Sequence, residues 1–480
     1  MAAPSLKDKK NDCYGAHVVV ARAAAICAWL VAWHLASVAV GQPLILPGPV
    51  EVAGSLVALV VTPAFWGQVG FSAARILGAL AAAYACALAL ATASRASRAV
   101  RELASVPLSA IKATPVVCVV VLLLIWLGSA NVSVAAVFLM ALPGLYFPVL
   151  EGLDASAAGG EAAAAAEVFE VHGACGIVRA LGCAWPRVLP FVVAASETVV
   201  GMSWKAGVAA ELIGVPSGSV GERIYQAKLL LETGDLFAWT IAVVAIATLC
   251  ERLVVALLRA SGPVCVTLAA GTRGRVFCPR PMGTKDPSLC PRGGWKARGL
   301  VLAHGSVVPL TYEAPAGARV CVMAPSGTGK TTLLRTLAGL ETAAAGECVA
   351  FPSSICPQGP SLVPCATVEQ NVLLTAASDV NKQHVRALLA DLLPDVPTAG
   401  AVSELSGGQR RRVELARALA APGDLVLLDE PFSGLDEATR RRAAAIVVRE
   451  LRGRGLVVAT HDARDAALLD AATLELVNQR

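Results

Sequence analysis

Six stretches of this chain, residues 18–40, 70–93, 104–127, 132–150, 188–213 and 236–258, are apolar over lengths that match a lipid bilayer. No other feature narrows the possible folds as much. About 20 apolar residues in a helix cross ~30 Å of hydrocarbon. Inside hydrocarbon only helices and closed barrels satisfy their own backbone hydrogen bonds. The runs predict six transmembrane helices, with Pro107 and Pro115 bending the third. A mean hydropathy of +0.64 over 480 residues excludes an ordinary soluble enzyme. The first run is too long for a cleaved signal segment and is expected to remain as a membrane helix.

Basic residues orient these spans. Lys7, Lys9 and Lys10, then Arg95, Arg98 and Arg101, then Arg179 and Arg187, then Arg259 fall consistently on one side. Such a bias marks the cytoplasmic side of a multi-pass protein of the cytoplasmic membrane. An even number of passes returns the chain to the cytoplasm. Residues 261–299 are rich in Pro, Gly and Arg and read as a linker. From residue 300 short β-branched strands alternate with charged amphipathic helices, an α/β pattern. The expected division is thus a membrane domain over 1–260, a linker over 261–299 and a soluble domain over 300–480. The formal charge of +5 lies in loops and leaves no nucleic-acid footprint. Fourteen scattered cysteines form no disulfide framework or zinc set, and Cys278 with Cys290 supplies too few thiols for a closed metal site.

The soluble part centres on Ala324-Pro-Ser-Gly-Thr-Gly-Lys-Thr-Thr332, placed between the apolar run Arg319-Val-Cys-Val-Met323 and a helical stretch from Leu333. Strand, glycine-rich turn and helix is the context of a phosphate-binding loop. Pro325, Ser326, Gly327, Thr328, Gly329 and Thr332 complete the turn. Gly327 and Gly329 free the backbone N–H groups to curl around an anion, and the helix start adds its positive dipole end. Lys330 can reach the outer phosphates of a nucleotide, and the Thr331 hydroxyl can hold Mg2+. Ala324 stands where the usual pattern has glycine. Leu425-Val-Leu-Leu-Asp-Glu430 reads as a buried strand ending in two acids. Asp429 is suited to the metal shell, and Glu430 to polarising a water as general base. In Leu405-Ser-Gly-Gly-Gln409, Ser406, Gly407 and Gly408 form a second anion cradle at a helix start.

With these motifs the chain resembles the ATP-binding-cassette ATPases. The resemblance implies that Gln358 in Ile355-Cys-Pro-Gln358 reaches the metal and contacts the permease. It likewise makes Asp436 the D-loop aspartate and His461 in Thr460-His-Asp462 the switch histidine on the γ-phosphate. In that family the Ser406–Gln409 cradle closes over ATP held by a second cassette, which implies a homodimer. His304 is a candidate for the adenine-stacking position, whereas Tyr312 reads as part of a strand.

The first half resembles importer permeases of the nitrate/sulfonate/taurine group, through Leu46-Pro-Gly-Pro49, Glu167-Val-Phe-Glu-Val-His-Gly173 and Trp204-Lys-Ala-Gly-Val-Ala-Ala-Glu211. Where the group's cytoplasmic coupling loop carries Glu-Ala-Ala, this chain carries Glu167-Val168-Phe169. The resemblance implies a hairpin between spans four and five that docks on the cassette near Gln358, and a separate extracytoplasmic solute-binding protein. Lys205 inside span five reads as a pathway cation for an anionic substrate, as the partner of Glu197 or Glu211, or as a lysine snorkelling to the outer interface. Lys112 is expected to snorkel. The resulting expectation is an all-α permease fused to a P-loop ATPase, importing a nitrate-, sulfonate- or taurine-like anion or a pyrimidine vitamin precursor. The alternatives are an exporter half-transporter and a membrane-anchored ATPase that transmits force or signal without moving solute.

Overall fold

The structure is a computed structural model, describing residues 6–155, 161–174, 176–271, 294–304, 308–325, 327–350, 352–377 and 380–477. Cys278, Cys290 and Ser326 lie outside the described residues. The chain divides into two compact units, Met1–Pro148 with Ala194–Ala256, and Val149–Val193 with Leu257–Arg480. The segment between the fourth and fifth expected spans is therefore grouped with the soluble part.

The first half is helical throughout: α1 (Leu6–Val40), α2 (Pro49–Val60), α3 (Pro63–Ala96), α4 (Arg98–Ala113), α5 (Val116–Ala155), α6 (Glu161–Val171), α7 (Gly176–Arg179), α8 (Trp185–Gly214), α9 (Val220–Leu229) and α10 (Thr233–Gly271). A short π-helix, Ala180–Ala184, joins α7 to α8. Five helices among the described residues are long and apolar enough to cross a membrane, judged by length and composition. Six had been expected, and the difference lies in the third and fourth runs. Pro115 lacks an N–H and disfavours helical geometry in the residue before it, so Thr114 is extended (ψ 132°) and α4 stops at Ala113. What had been the start of span three is a separate amphipathic helix carrying Arg98, Arg101, Glu102 and Lys112. The rest of that run continues into the fourth as α5, broken at Gly128, whose φ 71° and ψ 174° are non-helical. Of the expected linker, residues 261–271 continue α10 and 295–299 lie in β1, and 272–293 are outside the described residues. The chain is helical up to Gly271 and resumes as a strand at Trp295.

Polar contacts inside the first unit are few and specific. The Ser72 hydroxyl donates to the Glu211 carboxylate at 2.6 Å and accepts from Val220 N at 3.0 Å. The same carboxylate accepts from Gly221 N at 3.4 Å. A Cβ on Gly221 would fall 2.4 Å from the Glu211 backbone, so only glycine permits this approach. Tyr146 donates to Ser94 at 2.9 Å. Glu211 is thus occupied by Ser72 and α9, and not by the exposed Lys205. Lys112 sits 5.7 Å from the centre of the Phe147 ring, a cation–π contact.

The second unit holds the strands β1 (Trp295–Val301), β2 (Leu310–Ala314), β3 (Arg319–Met323), β4 (Ala345–Ala350), β5 (Ser353–Cys356), β6 (Leu425–Asp429), β7 (Gly455–Thr460) and β8 (Ala472–Glu475). Between and around them run α11 (Lys330–Leu337), α12 (Val368–Leu373), α13 (Lys382–Leu392), α14 (Gly407–Ala420), α15 (Glu437–Leu451) and α16 (Ala463–Leu469). β2-β1-β4 form an antiparallel sheet, and β5-β6-β7-β3-β8 a parallel one. The parallel sheet is buried on both faces, and its sequence shows why. Leu425, Leu427, Val457 and Ala459 enter one apolar cluster with Leu333, Leu334 and Leu337, while Val426, Leu428, Leu456 and Val458 enter another with Val413, Leu415 and Val447. Successive residues of a strand face opposite sides, so continuous apolar runs are what a sheet covered by helices on both faces requires. The order β6-β7-β3 brings the ends of three central strands together, carrying Asp429, Thr460 and the Ala324–Gly329 loop.

Candidate functional site

The loop after β3 leads into a helix with a bare start. Gly329 is the N-cap of α11 with φ 112°, and no side chain caps it. Gly327 has φ 81°, a conformation that costs little only without a Cβ. The first N–H groups of α11 are left for an anion, and the helix dipole favours one. The Thr328 hydroxyl donates back to Pro325 O at 2.8 Å. Lys330 is almost wholly buried and its ammonium donates to the carbonyls of Ala324 and Pro325. Ala324 is not among the residues with positive φ, so its methyl group fits the turn without strain and packs at the edge of the Leu333 cluster.

A cavity of about 250 Å³ opens beside this loop. Pro325, Gly327, Gly329, Lys330, Thr331 and Thr332 form one wall, and Gln358, Asp429 and Glu430 the other. His304 lines it too, whereas Tyr312 lies in β2 with its ring 5.1 Å from that of Trp295. The Thr331 hydroxyl donates to the Asp429 carboxylate at 2.7 Å. Burial pushes the Asp429 carboxyl above its ordinary range, against the pull of the Thr331 hydrogen bond and Arg411. Two hard oxygen donors converging on one point suit Mg2+, which takes few protein ligands and fills its shell with phosphate oxygens and water. No group of three or more His, Cys, Asp and Glu side chains able to hold a metal occurs among the described residues.

Glu430 follows the last residue of β6 with φ 48°, a strained position for a residue with a side chain. Its N–H donates to Ala459 O at 2.8 Å, which ties the turn to β7. Its carboxylate lies 2.9 Å from His461 Nδ1 through both oxygens. Asp436 stands apart, capping α15 by accepting from Thr439 N at 3.0 Å. That hydrogen bond holds its carboxyl below the usual range. Asp462 caps α16 and is held by Arg464 and Arg440, beside His461.

The Ser406–Gln409 turn contributes nothing to the lining of this cavity. Its helix, α14, begins with a complete capping box: Ser406 Oγ accepts from Gln409 N at 3.4 Å, and the Gln409 side chain accepts from Ser406 N at 2.8 Å. Gly407 and Gly408 form the first turn behind it.

Several organising residues escaped the motifs. Arg411, buried on α14, donates to Pro357 O and Asp429 O and pairs with Glu414 at 3.0 Å, joining the Gln358 segment to the end of β6. Arg335 of α11 pairs with Glu341 at 3.0 Å and with Glu167 of α6 at 2.7 Å. The Glu167 hairpin reaches the sheet too: His172 Nε2 accepts from Ile355 N at 3.0 Å. Val168 is buried in the Leu333 cluster, and Phe169 in another with Val363 and Leu374. An apolar pair in place of Ala-Ala was the only sequence trace of this deep seating. An arginine within a helix carries no comparable trace.

The ABC transporter family profile matches residues 307–433. An aliphatic sulfonates import ATP-binding protein from Rhodococcus jostii is 38% identical over 199 residues, 39% of this chain and 77% of that protein. An Fe(3+) ions import ATP-binding protein from Pseudomonas fluorescens is 37% identical over 34% of this chain and 51% of its own length. A solved dimeric bacterial ABC transporter cassette aligns with 38% of this chain and 94% of its own at 23% identity, with a TM-score of 0.34. The chain thus carries a P-loop ATPase domain that binds ATP and hydrolyses it in step with transport, and it belongs to the ABC transporter family.

Proposed function

We propose that this chain is one half of an ATP-driven importer of the cytoplasmic membrane, with permease and cassette fused. The observation that carries the reading is the gathering of Lys330, Thr331, Gln358, Asp429 and Glu430 around one cavity, in the same unit as the Glu167 hairpin. Relatives named as import ATP-binding proteins support the direction of transport. Six passes fit better than five. A single crossing by α5 would place the arginines of α4 and those after α6 on opposite sides, against the positive-inside rule. Two passes, one over residues 104–127 across Pro115 and one over 132–150 beyond the Gly128 break, keep them together.

In this reading the bare start of α11 and Lys330 hold the phosphates of ATP. Thr331 and Asp429 would hold Mg2+ with Gln358 at its edge, and the ion when bound would neutralise charge building on the phosphates. Glu430 takes a proton from the attacking water, its carboxylate aimed by the turn to β7. His461, touching that carboxylate, is placed to hold the γ-phosphate side. Ser406, Gly407, Gly408 and Gln409 close the site of a second copy, and Asp436 lies at that same junction, so two chains would form two composite sites. A separate solute-binding protein would deliver the substrate, a small anion of the sulfonate, taurine or nitrate kind or a pyrimidine vitamin precursor.

Proteoliposomes enclosing ATP provide the test. Taurine, nitrate or an alkanesulfonate, added outside with the solute-binding protein encoded beside the gene, should accumulate inside. Glu430→Gln should abolish accumulation and lower ATP turnover by about 100-fold or more while leaving ATP bound. Movement in the opposite direction would point to an exporter. ATP turnover with no solute movement for any of these would leave a membrane-anchored ATPase.

A further inference from the structure

Among the described residues the parallel sheet ends at β5, an edge strand paired with β6 alone. An edge strand presents N–H groups with no strand to receive them. Here the Ile355 N–H donates to a side chain that lies 183 residues away in the sequence, the imidazole of His172 at 3.0 Å. Three residues after Ile355 comes Gln358, in the wall of the ATP cavity. His172 itself follows α6 directly, and the hairpin is continuous in sequence with the long apolar helices α5 and α8.

We propose that His172 is a positioning residue. As the acceptor that terminates β5, it joins the hairpin to the strand carrying Gln358, and through it nucleotide binding at the cavity is felt in the hairpin. The inference rests on the ATP-site reading above and assigns one atom, Nε2, to the connection.

The surroundings hold the imidazole in the form this role needs. His172 is 1% exposed. Burial, reinforced by the charge of Arg417, lowers its pKa to about 3, so it is neutral at cellular pH. With Nε2 accepting, the proton sits on Nδ1, which is buried without a hydrogen-bond partner among the described residues. A leucine would bury such a site with no unmet polar atom, and the cost of burying a polar group is tolerated where that group has work to do. The Glu167–Arg335 pair and the burial of Val168 and Phe169 hold the hairpin against the cassette independently. Removing the imidazole acceptor should therefore loosen one connection without undocking the hairpin.

Hydrogen exchange on the full chain in nanodiscs, with and without ATP and Mg2+, provides the test. In the natural protein ATP should slow exchange in both the 353–358 and the 161–174 segments. In His172→Phe, which keeps a ring and removes the acceptor, the response at 353–358 should remain. The response at 161–174 should fall at least threefold. His172→Gln, which keeps an acceptor, should restore most of it. Should His172→Phe not fold, His172→Leu is read in the same way. An unchanged hairpin response in the acceptor-free variants overturns the proposal, as does a response equally reduced in His172→Gln. If ATP slows neither segment in the natural protein, the ATP-site reading fails first.

Discussion

Two helices of the cassette begin with glycine-rich turns, and they begin differently. α11 starts at a left-handed Gly329 with no side-chain cap, whereas α14 starts at Ser406 inside a complete capping box. Both ends carry the same dipole and the same surplus of N–H groups. The bare end stands beside Thr331, Asp429 and Glu430 in a walled cavity. The capped end is already satisfied by its own chain. One end is therefore open to a phosphate, and the other is a capped surface that, in the dimer proposed above, would meet a partner's nucleotide. Similar sequence patterns, judged by their glycines and hydroxyls, become unlike sites because of what the fold sets beside them.

The comparison can be broken from either side. The largest effect is expected at the bare end: Lys330→Ala should lower ATP turnover by about 100-fold or more, since it removes the cation proposed to hold the transferred phosphoryl group. Fluorescent-nucleotide binding should weaken with it, and binding and turnover left intact would sink the assignment. At the capped end, Ser406→Ala should leave nucleotide binding within about twofold yet cost about 1 kcal/mol of cassette stability, the ordinary value of an N-cap. Denaturant unfolding would measure that cost, and lost nucleotide binding without lost stability would reverse the roles given to the two ends.

A third helix start sharpens the contrast, because Asp436 caps α15 with a titratable group while Ser406 does not titrate. The folded pKa of Asp436 is depressed, by its hydrogen bond from Thr439 N. Its contribution is thus present above the unfolded value near 3.8 and is lost as pH falls through the folded value. In acid unfolding from pH 5 to 2, Asp436→Asn should flatten part of the decline, and Ser406→Ala should shift the curve without changing its slope. The smallest effect is expected at Ala324. A residue outside the positive-φ region has no need of glycine, so Ala324→Gly should change ATP turnover by less than about twofold.

Much of the cassette was legible because its motifs combine backbone demands with chemistry. Gly327 and Gly329 announce left-handed turns, Asp429 and Glu430 end an apolar strand, and Thr460-His461-Asp462 ends another. The membrane half was legible in amount but not in segmentation. Hydropathy averages over windows, and it could not register that Pro115 would stop α4 or that Gly128 would break α5. Arg411, Arg335 and His172 were illegible for another reason. Each earns its place through a partner more than 15 residues away, Asp429, Glu167 or Ile355, and no local pattern records such a pairing.

The sequence by itself determined the local chemistry: apolar lengths that suit a bilayer, a glycine turn that can hold phosphate, and acids placed at strand ends. These follow from hydrophobicity and backbone sterics, which act over a few residues. Only the tertiary structure set the uncapped helix start, and not the capped one, in one cavity with Asp429 and Glu430. It also grouped the Glu167 hairpin with the cassette and gave the edge of β5 a histidine as its last acceptor. Those outcomes depend on strand order and on burial, quantities that exist only once distant segments have been brought together.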